Sequence, residues 1–151
     1  MASPFNMVWG SSISAVVIAY NQYGDSLTSL VGNGAVILTN PDAPTSLSEV
    51  VSARAATSIT ISWFAGANAG GAPVLDYRVS YAQETGPFTV LAVGWTGLTY
   101  KATGLTAGLK YRFFVQARNQ YDYSAQSNTA LILSATIPDV PSVVTTANLA
   151  N

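Results

Sequence analysis

Apolar and polar residues alternate along most of this chain, and the alternation marks out strands. The clearest run is Thr57-Ser58-Ile59-Thr60-Ile61-Ser62-Trp63, which sets Ile59, Ile61 and Trp63 on one face and hydroxyl residues on the other. Leu75, Tyr77, Val79 and Tyr81 alternate with Asp76, Arg78 and Ser80, and Tyr111, Phe113, Val115 and Ala117 alternate with Arg112, Gln116 and Arg118. A period of two buries one face of a pleated strand, so these three runs form the predicted core. Weaker runs predict further strands at residues 46–51, 88–93, 95–102 and 129–135, and three glycines between Ala65 and Pro73 mark a loop. Asp76 and Arg78 share a face, which predicts an ion pair between them.

The pattern repeats. Ile13, Ala15, Val17 and Ala19, followed by Asn21-Gln22-Tyr23, match Tyr111, Phe113, Val115 and Ala117, followed by Asn119-Gln120-Tyr121, at an offset of 98. Pro41-Asp42-Ala43-Pro44 matches Pro138-Asp139-Val140-Pro141 at an offset of 97. Such a period is one β-sandwich long and predicts tandem sandwiches. Residues 1–41 then form the C-terminal half, the last two strands, of one module, residues 42–136 a complete module, and residues 137–151 the first strand of a third.

Leu105-Thr-Ala-Gly-Leu-Lys-Tyr111 resembles the corner between strands E and F of a fibronectin type III domain, and Trp63 resembles the tryptophan of that family's strand B. Tyr77, Leu105, Tyr111 and Asn119 fit the same pattern. The resemblance implies an all-β fold, a fibronectin type III-like Greek-key β-sandwich with partial flanking copies and sheets A-B-E and C-C′-F-G. It also implies a Tyr111 hydroxyl bonded to the backbone near Leu105, and an extracellular or cell-surface setting. The integrin-binding Arg-Gly-Asp of some family members is absent.

Composition narrows the functions. Charged residues make up 9% of the chain, far below the usual quarter or so, with 6 basic against 7 acidic and a net charge of −1. No basic footprint for nucleic acid or anionic lipid exists, and the apolar run from Ile13 to Tyr20 is too short to insert across a membrane. The first ten residues lack the positive start of a secretion signal, so a removed signal or a longer parent chain is expected. Cysteine and histidine are absent, which removes disulfides, thiol nucleophiles, Cys/His zinc sites and imidazole catalysis. The seven acidic residues stand singly, without the carboxylate pair that glycoside hydrolysis needs at about 5–10 Å. No catalytic residue, cofactor or metal ligand is expected, and Asp42 and Asp139 read as solvated turn residues at module junctions.

Two surfaces remain. Val16, Ile18, Tyr20, Val36, Ile37, Leu38 and Phe114 are apolar where a one-sided strand would be polar, and Leu131-Ile132-Leu133 is apolar throughout. These strands read as buried on both faces, hence as an assembly interface. The loop carrying Tyr121, Asp122 and Tyr123 is a candidate ligand loop, and a glycan suits its tyrosines, amides and acid. Trp9 and Trp95 fit either core or interface. The expected function is a structural repeat of an extracellular filament or adhesin. Its partners are identical or tandem modules forming a homopolymer, assembling by β-strand complementation and apolar packing. The alternative is a spacer or ligand-binding module of a larger secreted or receptor protein.

Overall fold

The computed structural model describes residues 7–136 and residue 138, so the first strand expected within 137–151 lies outside the described residues. Eleven strands occur among them: β1 (Ser12–Ala15), β2 (Tyr20–Asn21), β3 (Gly24–Asp25), β4 (Gly32–Val36), β5 (Thr45–Glu49), β6 (Ser58–Phe64), β7 (Asp76–Gln83), β8 (Thr89–Trp95), β9 (Thr99–Thr103), β10 (Lys110–Arg118) and β11 (Ala130–Leu133). A single 3-10 turn at Val51–Ala53 follows β5.

Strands β5 to β11 make a sandwich. One sheet has the order β5-β6-β9 and the other β11-β10-β7-β8, both antiparallel. Their inner faces carry the alternating residues: Ile59, Ile61 and Trp63 from β6 meet Tyr77 and Val79 from β7 and Phe113 and Val115 from β10, all buried. Trp63 meets the edge of Tyr77 with ring centroids 5.5 Å apart at 68°. Aromatic pairs of this kind add about 0.5–1.5 kcal/mol to the area they bury. At the corner before β10 the Tyr111 hydroxyl accepts the backbone N–H of Thr106 at 2.9 Å, one residue beyond Leu105.

Three expectations are corrected. Asp76 does not pair with Arg78: it receives the Arg118 guanidinium through Nε at 2.9 Å and through Nη2, while Arg78 donates to Gln116 Oε1 at 2.7 Å through its Nη2. Arg118 and Asp76 are register partners across β10 and β7, as are Gln116 and Arg78. Directly opposite side chains lie about 4.5–5.5 Å apart at Cβ, closer than two positions along one strand at about 3.3 Å per residue. Strand β11 is buried on one face only, since Ile132 is interior while Leu131 is 60% exposed. Trp95 ends β8 and does not open the next strand; it packs edge-on to Tyr100 at 5.1 Å, and its indole N–H donates to the Thr99 carbonyl.

Residues ahead of the sandwich form an extended hairpin. Strands β1 and β4 pair antiparallel, β2 and β3 continue toward the tip, and every described residue from Met7 to Val36 is exposed except the half-buried Ser11 and Ile13.

Tyr111→Phe should lower the stability of the sandwich by about 1 kcal/mol by orphaning the Thr106 N–H, and Trp63→Ala by about 3–5 kcal/mol, both read from urea unfolding. Burial pushes the Tyr77 phenol above its ordinary value of 10.0. The folded state therefore holds this proton more tightly than the unfolded chain, so stability present below pH 10 falls as pH rises further, and Tyr77→Phe should flatten that alkaline limb.

Candidate assembly interface

The hairpin and the β10–β11 arm of the sandwich are built by the same side chains. In the sandwich, Ser124 and Ser127 run beside β10 on a connection too irregular for a backbone ladder. Each donates its N–H to a β10 carbonyl, Ala117 at 2.7 Å and Val115 at 2.9 Å, and accepts that residue's N–H on its hydroxyl at 3.0 Å. The hydroxyls then donate to the carbonyls of Ala125 and Asn128. In the hairpin, Ser26 and Ser29 do the same with Ala19 and Val17: N–H to carbonyl at 2.8 and 2.9 Å, N–H to hydroxyl at 3.0 Å in both, with the hydroxyls donating to Leu27 and Leu30. Asn21 Oδ1 accepts the Tyr23 N–H at 2.8 Å, as Asn119 Oδ1 accepts that of Tyr121. All of these pairs are 98 residues apart. The change of offset to 97 falls in β4, where the pairing slips between Ile13↔Ala35 and Ala15↔Gly32, while β10 and β11 pair without a slip. A β-bulge absorbs the extra residue.

Burial separates the two arms. Val115 is 0% exposed and its counterpart Val17 is 69% exposed. Strand β10 is paired on one edge by β7, paired on the other by β11, and covered on its inner face by β6. Among the described residues β1 has only β4.

The predicted interface residues divide accordingly. Val16, Ile18, Tyr20 and Val36 are exposed, on the hairpin. Ile37 and Leu38 are half-buried where the hairpin runs into the linker; Gly10 donates to the Ile37 carbonyl and Ile37 to that of Ser11. Phe114 offers no free surface, a correction to the expectation. It is 6% exposed because Phe88, from the turn before β8, lies edge-on over it at 4.7 Å. Arg112 in turn lies over Phe88 at 4.7 Å and donates to the Gly86 carbonyl. Trp9 is exposed.

The candidate ligand loop is tied down by its own residues. Tyr121 is exposed, but Tyr123 lies under Arg78 at 4.0 Å from its centroid and Arg118 at 5.6 Å, and its N–H goes to Asp122 Oδ1. Asp76 and, secondarily, the Tyr123 phenol hold the Arg118 guanidinium above its usual pKa.

Sequence reasoning missed the junction beneath this loop. The buried Asn119 amide receives the N–H groups of Tyr121 and Asp122 on Oδ1 and donates through Nδ2 to the carbonyls of Thr39, at 2.7 Å, and Ala69, at 2.8 Å. Asn40 Nδ2 donates to the Tyr123 carbonyl, and Thr39 donates to Gly70. The exposed Asp42 carboxylate accepts both the backbone and side-chain N–H of Asn68. Gly70 and Gly71 have φ of +73° and +87°, and a Cβ on either would strike the linker, 2.7 Å from the Asn40 carbonyl or 2.6 Å from that of Ile37. The repeated Asn119 and the glycines of the 65–73 loop were signals, but the partners lie 50 and 80 residues from Asn119 in sequence.

Among the described residues no cluster of three acidic side chains could hold a metal ion, and no helix is long and apolar enough to cross a membrane. Two facing antiparallel sheets of three and four strands, closed by a tyrosine corner, define a Greek-key β-sandwich module. The chain belongs to the fibronectin type III domain family, which it matches over residues 42–130; such domains are in general non-catalytic modules found within multidomain proteins. It is similar in fold to domains A168–A170 of titin (20% identity, TM-score 0.63, covering 82% of this chain and 41% of that one). The FN1–FN3 domains of chicken CNTN1 resemble it at 22% identity and a TM-score of 0.56, over 86% of this chain and 44% of theirs. The 6th fibronectin type III domain of human fibronectin type III domain containing protein 3 does so at 22% and 0.56, over 70% of this chain and 95% of its own. The chain thus spans less than half of the titin and CNTN1 structures it matches.

Gly70→Ala should release the linker, seen as faster hydrogen exchange at the Thr39 and Asp42 amides. Gly94→Ala, where a Cβ meets nothing within 4 Å, should carry only the left-handed strain of about 1–2 kcal/mol and leave both amides protected.

Proposed function

We propose that this chain is a structural repeat of an extracellular filament or adhesin in which fibronectin type III modules are joined end to end. Residues 1–41 are the F and G half of an adjacent module, residues 42–136 the complete one, and residues 137–151 the opening strand of the next. The observation that carries this reading is the pairing of identical hydrogen bonds with opposite burial: the hairpin is made like β10 and its neighbours, yet among the described residues nothing covers it as β6 and β7 cover β10.

An isolated two-stranded hairpin is marginally stable in water. Full burial of one valine or isoleucine is worth roughly 1.5–3 kcal/mol, so covering Val16, Val17 and Ile18 supplies several kcal/mol toward association. The free edge of β1 takes a strand in the way β10 takes β7, and the adjacent module is of the same type as this one. Asp25 is the single charged residue among residues 1–41, so little charge repulsion opposes the contact.

In light scattering, the full chain should form polymers while residues 42–136, which contain the whole core cluster, remain a monomer. Val16→Lys combined with Ile18→Lys should abolish the assembly and leave the sandwich's unfolding midpoint unchanged. A monodisperse, fully folded monomer of the unmodified chain at high concentration would falsify the assembly reading and favour a spacer or ligand-binding module of a larger protein.

A further inference from the structure

The junction at Asn119 is a receptor for an extended peptide, and the hairpin carries a second copy of its central part. At Asn119 the turn Asn-Gln-Tyr uses the amide oxygen to hold its own backbone and the amide nitrogen to hold the Thr39 carbonyl of the arriving linker. At the hairpin tip Asn21 Oδ1 holds the Tyr23 N–H in the same way, and Asn21 Nδ2 has no partner among the described residues. Asn21 is one of the residues that line an open cavity of about 340 Å³ at the tip, with Ala19, Tyr20, Tyr23 and Ser26 among others.

The geometry points to the hairpin tip as a docking surface for the linker of a second copy of this chain, with Asn21 Nδ2 donating to a backbone carbonyl of the segment 136–138. This rests on reading the hairpin as the F and G half of a module. Thr136 and Pro138 stand 97 residues after Thr39 and Pro41, the segment docked at Asn119. The residue between them differs: Ile137 stands where Asn40 donates to the Tyr123 carbonyl, so that bond has no counterpart, while a bond to the carbonyl that matches Thr39's needs no particular side chain. Apart from Asp25 the tip is uncharged, and residues 133–138 carry no charge, Asp139 being the first charge beyond them, so little repulsion opposes the contact. A linker leaving one copy and a tip receiving on the next are different surfaces, so the contact is heterologous and propagates head to tail.

The test is a dilution series of the isotopically labelled full chain by NMR, beside Asn21→Asp. Aspartate keeps an oxygen for the Tyr23 N–H and replaces the donor with a carboxylate that repels a carbonyl. The unmodified chain should show concentration-dependent shifts at the Asn21 side-chain amide, at backbone amides 19–26 and at Thr136. Asn21→Asp should weaken the apparent association about tenfold or more while leaving the sandwich resonances in place. A synthetic peptide of residues 133–142 should reproduce the shifts at the tip. Absence of shifts at the tip in both titrations, or equal shifts in Asn21→Asp, overturns the proposal. Association that maps to Val16 and Ile18 and survives Asn21→Asp also overturns it while leaving the array reading intact. Random-coil shifts throughout residues 12–36 would sink both.

Discussion

A β-strand has two edges of hydrogen-bonding groups and two faces of side chains, and a stable strand must settle all four. Strand β10 does so. Strand β7 takes one edge; β11 and the two serine hydroxyls take the other; β6 covers the inner face; and the outer face is closed by Phe88 over Phe114 and by the Arg78, Tyr123 and Arg118 stack. Among the described residues strand β1 settles one edge only. The two arms share a hydrogen-bond pattern and differ in burial.

The serines show how closely the versions agree. A connection that advances three residues while its neighbour advances two cannot keep a regular ladder, so a hydroxyl stands in where the backbone carbonyl has moved out of reach. Ser124 and Ser127 do this opposite Ala117 and Val115, and Ser26 and Ser29 opposite Ala19 and Val17. The first pair is interior and the second is exposed. Hydrogen bonds of one kind are therefore worth more in the sandwich, where water cannot compete, than in the hairpin.

The sandwich strands were legible because alternation reports which residues share a face. It does not report what lies opposite. Phe114 looked outward and unpartnered because Phe88 is 26 residues earlier in the sequence. Leu131 and Leu133 looked interior because three apolar residues in a row carry no period. Asp76 and Arg78 do share a face, and the register of β7 against β10, which the sequence does not display, gives each a nearer partner. The repeat was legible down to the Asn-Gln-Tyr turn; the second serine of each pair was equally available at the same offset and went unread. The junction was the least legible part, because most of its bonds join a side chain to a main-chain group, and the main-chain partner leaves no trace in composition or pattern.

That last property has a use. Asn119 holds the incoming peptide by the Thr39 carbonyl, and Gly70 and Gly71 admit it by having nothing in its way. The joint thus reads the arriving peptide partly through its main chain and partly through the Asn40 and Asp42 side chains. A lineage assembling long proteins by duplicating such units would inherit the receiving half of the coupling with each module, and the connecting residues would be free to drift except where, as at Asn40 and Asp42, a side chain is held.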